Sequence, residues 1–197
     1  TDLDQMAQNR DQILAQGLIE RIGGQALIKI KSEGNPDYRT ATPLRNTKQA
    51  INTITDWLFA EQSPIEGISG IGDIHAVGHR VVHGGEEFKA SILIDDGVRK
   101  GIEDCIDLAP LHNPGNLAGI DAIKSIFGST IPQVAVFDTA FHSQMPPESY
   151  MYAIPYSFYR RHRIRRYGFH GTSHRYVAYR YRKMTQTPKE QVNIVTL

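Results

Sequence analysis

An arginine two residues from a valine, in a run of extended character, can hold a small carboxylate that carries an alkyl tail. The guanidinium grips the two oxygens as a fork and the aliphatic neighbour meets the tail. Such a pairing occurs in Gly78-His79-Arg80-Val81-Val82-His83-Gly84-Gly85, which comes after Ile74, Ala76 and Val77. β-Branched and apolar residues closed by Gly-Gly predict a short buried strand. Period two places Gly78, Arg80 and Val82 on one face and Val77, His79, Val81 and His83 on the other. The competing reading is a buried strand whose Arg80 merely pairs with a structural acid.

Three further stretches carry groups of chemical interest. Leu108-Ala109-Pro110-Leu111-His112-Asn113-Pro114 is a loop entering a helix, with prolines on both sides of Leu111 and His112; a plain Pro-flanked helix start would read the same. Asp138 ends the apolar run Val134 to Phe137, and ligand sites in α/β sheets lie outside such strand ends, although a turn or cap acid would also fit. In Tyr167-Gly168-Phe169-His170-Gly171-Thr172-Ser173-His174, Thr172 or Ser173 can cap the next helix. Backbone N–H groups would then face an anion, with His170 as a donor to phosphoryl oxygens.

Histidines four apart (His75, His79 and His83; His170 and His174) raise a metal reading. That spacing gathers ligands only on a helix, the first set lies in a β-type segment, and His-Glu-x-x-His is absent. The run from Arg160 to Arg166, interleaved with Tyr156, Phe158 and Tyr159, has the look of a nucleic-acid surface. A solvated helix face or an interdomain contact explains it as well, and a net charge of +1 favours that explanation.

The elements that must position these groups are read from periodicity. Helices are expected over 11–22, ended by Gly23-Gly24, over 47–62 with Asn46 or Thr47 near the cap, over 97–105, over 116–127 and over 172–183. Strands are expected over 25–31, 91–95, 134–137 and 192–197, with turns and loops over 33–43 and 63–73. Strand, helix and strand in that order predict an α/β fold with some parallel pairing. A change of character near Pro146 to Tyr156 suggests a domain boundary, and a chain stopping at a buried-type strand is expected to be cut.

Composition is that of an ordinary globular protein, 40% hydrophobic and 22% charged over 197 residues. No apolar run approaches the ~20 residues of a membrane span. A lone cysteine, Cys105, precludes an intrachain disulfide and fits a reducing compartment.

Taken together, 78–86 (GHRVVHGGE), 108–116 (LAPLHNPGN), 134–145 (VAVFDTAFHSQM) and 167–176 (YGFHGTSHRY) resemble the signature segments of the acetate kinases, in the same order and spacing. The resemblance implies the duplicated ribonuclease-H-like fold of actin and sugar kinases, and phosphoryl transfer from ATP to acetate with Mg2+. By position, Arg80 corresponds to the carboxylate-binding arginine, and Val82, Leu111 and Phe169 to the apolar pocket around the methyl group. His112 adjoins that pocket; Asp138 corresponds to the catalytic aspartate and His170 to the histidine that steadies the transferring phosphoryl. Acetate is already ionised at neutral pH, so Asp138 is expected to orient Arg80 or the substrate rather than to move a proton.

The family's opening Gly-Ser-Ser-Ser segment, its His-Leu-Gly-Asn-Gly phosphate loop, a second arginine, a metal-binding glutamate and the adenosine pocket have no counterpart in this sequence. The expectation is a fragment, inactive alone and binding no cofactor tightly, with 1–147 as the acyl-substrate domain and 148–197 as the start of the nucleotide domain. Metal ligands are expected outside the chain. Acetate or acetyl phosphate and ATP/ADP are the expected partners of a cytoplasmic homodimer, with neither nucleic acid nor membrane. Propionate or butyrate kinase, and an Arg-rich nucleic-acid-binding module, are the alternatives.

Overall fold

A computed structural model describes residues 13–60 and 65–196. The chain divides into two compact units, one drawn from Thr1–Ala76 with Ala118–Ile131 and the other from Val77–Leu117 with Pro132–Leu197.

The first unit holds an antiparallel sheet in the order β1 (Ala15–Glu20), β2 (Gly24–Ser32), β3 (Tyr38–Leu44). Alternation along β2 buries Ala26, Ile28 and Ile30 on one face, against Leu44 and Ala50. A buried isoleucine contributes about 1.5–3 kcal/mol relative to an exposed one, so this small set anchors the unit. Helix α1 (Thr47–Leu58) begins at Asn46, whose side chain accepts from the Gln49 backbone N–H at 3.0 Å, while Gln49 Oε1 accepts from Arg45 N–H at 2.7 Å. Such a cap stabilises by about 1 kcal/mol.

Two expectations fail in this unit. Residues 13–22 are not helical: β1 pairs with β2 from Ala15↔Ser32 to Glu20↔Leu27, and Arg21 (φ 61°) and Gly23 (φ 105°) turn the hairpin. Residues 11 and 12 lie outside the described residues, as do 61 and 62 at the end of the expected second helix. The segment read as loop over 33–43 contains β3. Pro43 is tolerated there because β3 is an edge strand, where a missing N–H costs no ladder bond.

The second unit holds a mixed sheet in the order β4 (Val77–Val81), β6 (Gln133–Phe137), β5 (Ile92–Leu93). β4 and β6 run parallel, from Val77↔Gln133 to Val81↔Phe137, and β5 is antiparallel to β6. The expected parallel pairing is therefore present. Helix α2 (Asp96–Asp104) and helix α3 (Asn113–Phe127) lie in sequence between β5 and β6, and α3 starts earlier than expected. After β6 come α4 (Pro147–Tyr150), α5 (Tyr156–His162) and α6 (Gly171–Thr185).

Phe88 and Phe137 stack at 4.6 Å in the core of this unit. Gly84 has to be glycine there, since a Cβ would sit 2.7 Å from the Phe137 ring. The expected division near Pro146 to Tyr156 does not coincide with the division by contacts. Residues after 146 pack onto the β4–β6 layer, for example through Arg165 on Glu86 and Gly171 N–H on the Asp138 carbonyl. The strand expected over 192–197 is also not formed over the described residues 192–196. Apolar character alone supplies no ladder partner, and Val195 is 85% exposed.

Candidate active site

The two parallel strands end side by side, and the site is built from the residues at and just beyond those ends. Asp138 N–H donates to the Val81 carbonyl at 3.0 Å, extending the ladder by one bond. Arg80 projects from the opposite face of β4 to buried Val81, as period two requires. Its Nε and Nη2 donate to the Asp138 carboxylate at 2.9 and 2.7 Å. The acid is 3% exposed and the arginine side chain 64% exposed. These hydrogen bonds, and then the carboxylate's charge, hold the Arg80 pKa above its ordinary value. Nη1 is not used by Asp138, and the edge of the guanidinium that carries it is open to an anionic ligand.

His170 caps α6 in the left-handed conformation (φ 53°), with no side-chain bond at the helix end. Neither Thr172 nor Ser173 is the cap, because the helix already starts at Gly171, whose N–H donates to the Asp138 carbonyl at 2.9 Å. A Cβ at Gly171 would lie 2.5 Å from that oxygen, so the glycine lets α6 sit against the end of β6. The turn brings His170 Nδ1 to 3.4 Å from Arg80 Nη2.

Arg80, Asp138 and His170 line one cleft of about 670 Å³, and Val82, Leu111, His112 and Phe169 line it too. The seven candidate site residues are thus in one place. Leu111 is 89% exposed at the rim, and Phe169 is 38% exposed. The cleft therefore has one cation fixed by a buried acid, apolar side chains beside it, and an imidazole. It can bind an anion with a short apolar tail.

Residues not singled out from the sequence hold this geometry. Val82 N–H donates to Asn116 Oδ1, and Asn116 Nδ2 donates to the Arg80 carbonyl. His83 N–H donates to Asn113 Oδ1, and Gly84 N–H donates to Thr139 Oγ1. Asn113 and Asn116 share a helix face at i, i+3. Two amides interrupting an otherwise apolar stripe were the signal in the sequence.

The histidine spacing that raised a metal serves other ends. His83 is 1% exposed; its Nδ1 accepts from Gly85 N–H at 3.0 Å, and its ring meets Tyr167 and Phe169 edge-on. Burial, with a smaller contribution from the Arg165 charge, lowers its pKa to about 4. His79 Nε2 lies 2.7 Å from Gln133 Oε1, and burial lowers its pKa. Among the described residues no three His, Cys, Asp or Glu side chains are grouped to hold a metal ion, and Asp138 is engaged by Arg80. These residues do not fit a Mg2+ site by themselves. Among them, too, no helix is long and apolar enough to cross a membrane.

The arginine run is largely engaged within the unit. Arg165 Nη1 donates to Glu86 at 2.7 Å, and its guanidinium lies over the rings of Tyr150 and Tyr167 at 3.6 and 4.8 Å. Arg163 lies 3.8 Å from Glu86, and Arg166 donates to the Ser149 carbonyl at 2.7 Å.

The architecture is the α/β, ribonuclease-H-like class expected from the sequence, shared with solved small-carboxylate kinases. The chain belongs to the acetokinase family, whose sequence profile matches residues 3–197. It is 55% identical over its whole length to an acetate kinase of Solibacter usitatus, covering 48% of that protein, and 55% identical to one of Chloroherpeton thalassium, again covering 48%. Among solved structures, an acetate kinase of Porphyromonas gingivalis matches at a TM-score of 0.83 and 40% identity, over 91% of this chain and 44% of that one. A propionate kinase of Francisella tularensis matches at 0.80 and 39%, over 92% and 45%. The chain spans about half the length of these relatives.

Proposed function

We propose that the whole protein transfers the γ-phosphoryl group of ATP to acetate, giving ADP and acetyl phosphate. The observation that carries this reading is the Arg80–Asp138 pair at the strand ends, with Val82 two residues from the arginine in the same cleft. One carboxylate oxygen of the substrate attacks the γ-phosphorus while the bond from phosphorus to the ADP oxygen breaks. No proton has to move, because the nucleophile is already ionised. Catalysis then rests on positioning and on offsetting charge.

In this proposal Arg80 grips the carboxylate, and Asp138 holds the guanidinium in place. Val82, Leu111 and Phe169 surround the alkyl group with His112 beside them, and His170 donates to the transferring phosphoryl. The separation of Asp138 from bulk water and its direct bonds to Arg80 favour an orienting role over proton transfer. ATP supplies the phosphoryl group, and Mg2+ would neutralise charge on it; no residue of this chain is assigned to either. Because the chain spans half the length of its relatives, we infer that these 197 residues alone do not turn over ATP. The family resemblance also supports a cytoplasmic homodimer supplying acetyl groups for acetyl-CoA, with residues 148–197 opening the nucleotide domain.

The propionate kinase similarity favours a second reading, in which propionate or butyrate is the substrate. One methylene shifts preference by only about 1–3 kcal/mol. Trapping the acyl phosphate with hydroxylamine tests both, using the full-length protein with ATP and each acid in turn. Acetate is expected to give the highest kcat/KM, and absence of any acyl hydroxamate would overturn the proposal.

A further inference from the structure

We propose that Asn116 is a positioning residue that sets the spacing between the Arg80 guanidinium and the Val82 side chain, and with it the acyl-chain preference. The proposal rests on the carboxylate-kinase reading above. β4 is an edge strand: one side faces β6, where Asp138 N–H donates to the Val81 carbonyl. On the other side the Arg80 carbonyl and the Val82 N–H point away from the sheet, and among the described strands none pairs there.

Asn116 takes that place. Its Nδ2 donates to the Arg80 carbonyl at 3.2 Å and its Oδ1 accepts from Val82 N–H at 3.1 Å. A residue of a parallel neighbouring strand would donate to residue i and accept from residue i+2 in the same way. Here one carboxamide on a helix does it, and the two residues it bridges are the cationic and apolar contacts proposed for the substrate. One turn earlier, Asn113 holds both backbone groups of a single residue, His83, accepting from its N–H at 3.2 Å and donating to its carbonyl at 3.0 Å. Asn113 is fully buried, whereas Asn116 is half-buried and lines the cleft. Asn113 therefore anchors the chain, and Asn116 acts on the site through Arg80 and Val82.

The chemistry of the position is narrow. A hydroxyl is too short to reach both backbone groups. An aspartate keeps the acceptor for Val82 but turns an oxygen towards the Arg80 carbonyl and adds a negative charge where an anion binds.

The experiment uses the full-length protein. Asn116→Ala is expected to raise KM for acetate about tenfold, as loss of two backbone hydrogen bonds would, while KM for ATP stays at the wild-type value. The propionate-to-acetate ratio of kcat/KM is expected to move at least about threefold, since Val82 is released. The isosteric Asn116→Asp, which preserves volume, is expected to raise KM for acetate at least as far. A purely structural role predicts lower thermal stability with both KM values and the acyl ratio unchanged. That result in either variant overturns the inference while leaving the kinase reading intact; a wild-type protein without acid-dependent ATP turnover takes both down.

Discussion

Two arginine–carboxylate pairs in the second unit are built with opposite burial. In the Arg80–Asp138 pair the acid is 3% exposed and the arginine 64%; in the Arg165–Glu86 pair the arginine is 7% exposed and the acid 28%. A buried acid that holds an open guanidinium presents a cation to a ligand and keeps it from wandering. A buried guanidinium between two tyrosine rings has no face left to offer, so its work is to tie 165 to 86. The residue types are the same in both pairs. Which member faces water separates the group proposed to bind from the one that only ties the fold.

Breaking the first pair from the arginine side is expected to give the largest effect. In the full-length protein, Arg80→Ala should lower kcat/KM for acetate by about a thousandfold, on the order of 4 kcal/mol. It should also destabilise the fold, because Asp138 is left buried without its partner. Restored thermal stability in Arg80→Ala/Asp138→Ala, without restored activity, would separate the two roles; activity surviving in Arg80→Ala would end the comparison.

Breaking the second pair is expected to act on stability alone. Arg165→Ala should lower the unfolding free energy by about 2–3 kcal/mol, less than a fully buried pair because Glu86 is partly solvated. KM for acetate measured on the folded enzyme should not move. A raised KM would mean that the tyrosine-lined pair reaches the cleft.

Asp138→Asn sharpens the first pair. It weakens the grip on Arg80 without removing the side chain, so kcat/KM should fall by about ten- to a hundredfold. An unchanged kcat/KM would show that Arg80 does not depend on Asp138 for its position.

The effect confined to acid pH concerns His83, whose ring meets Phe169 and whose pKa is lowered in part by the Arg165 charge. Its pKa in the fold, about 4, is below the unfolded value of about 6.5, so the unfolded chain binds the extra proton. This contribution to stability is complete above pH 6.5, falls as pH drops towards 4, and levels off below. The slope is at most about 1.4 kcal/mol per pH unit for one proton. Denaturant midpoints between pH 7 and 4, compared with His83→Gln, isolate it; parallel curves would exclude it.

Much of the second unit was legible because its constraints are local. Alternation in 77–83 fixed which side chains share a face, and the apolar run at 134–137 marked a parallel strand. The first unit was harder to read. Ile13, Leu14, Leu18, Ile19 and Ile22 satisfy a helical spacing, and only pairing with β2 makes 15–20 a strand. Pro36 before β3 and Pro43 within it obscured Thr40, Thr42 and Leu44, which alternate as a strand should. That the candidate residues gather in one cleft was legible through strand period and motif. The amides that hold them were missed: Asn113 and Asn116 interrupt the apolar stripe of α3, but nothing in the sequence says which backbone groups they bond.

His170 carries a practical consequence. Its left-handed backbone is one that asparagine and glycine accept and β-branched residues resist. A saturation library at 170 would thus mix two signals, lost imidazole chemistry and a displaced start of α6 that loosens Gly171 from the Asp138 carbonyl. His170→Asn keeps the dihedral and removes the ring, so it is the substitution from which the imidazole's own share can be extracted.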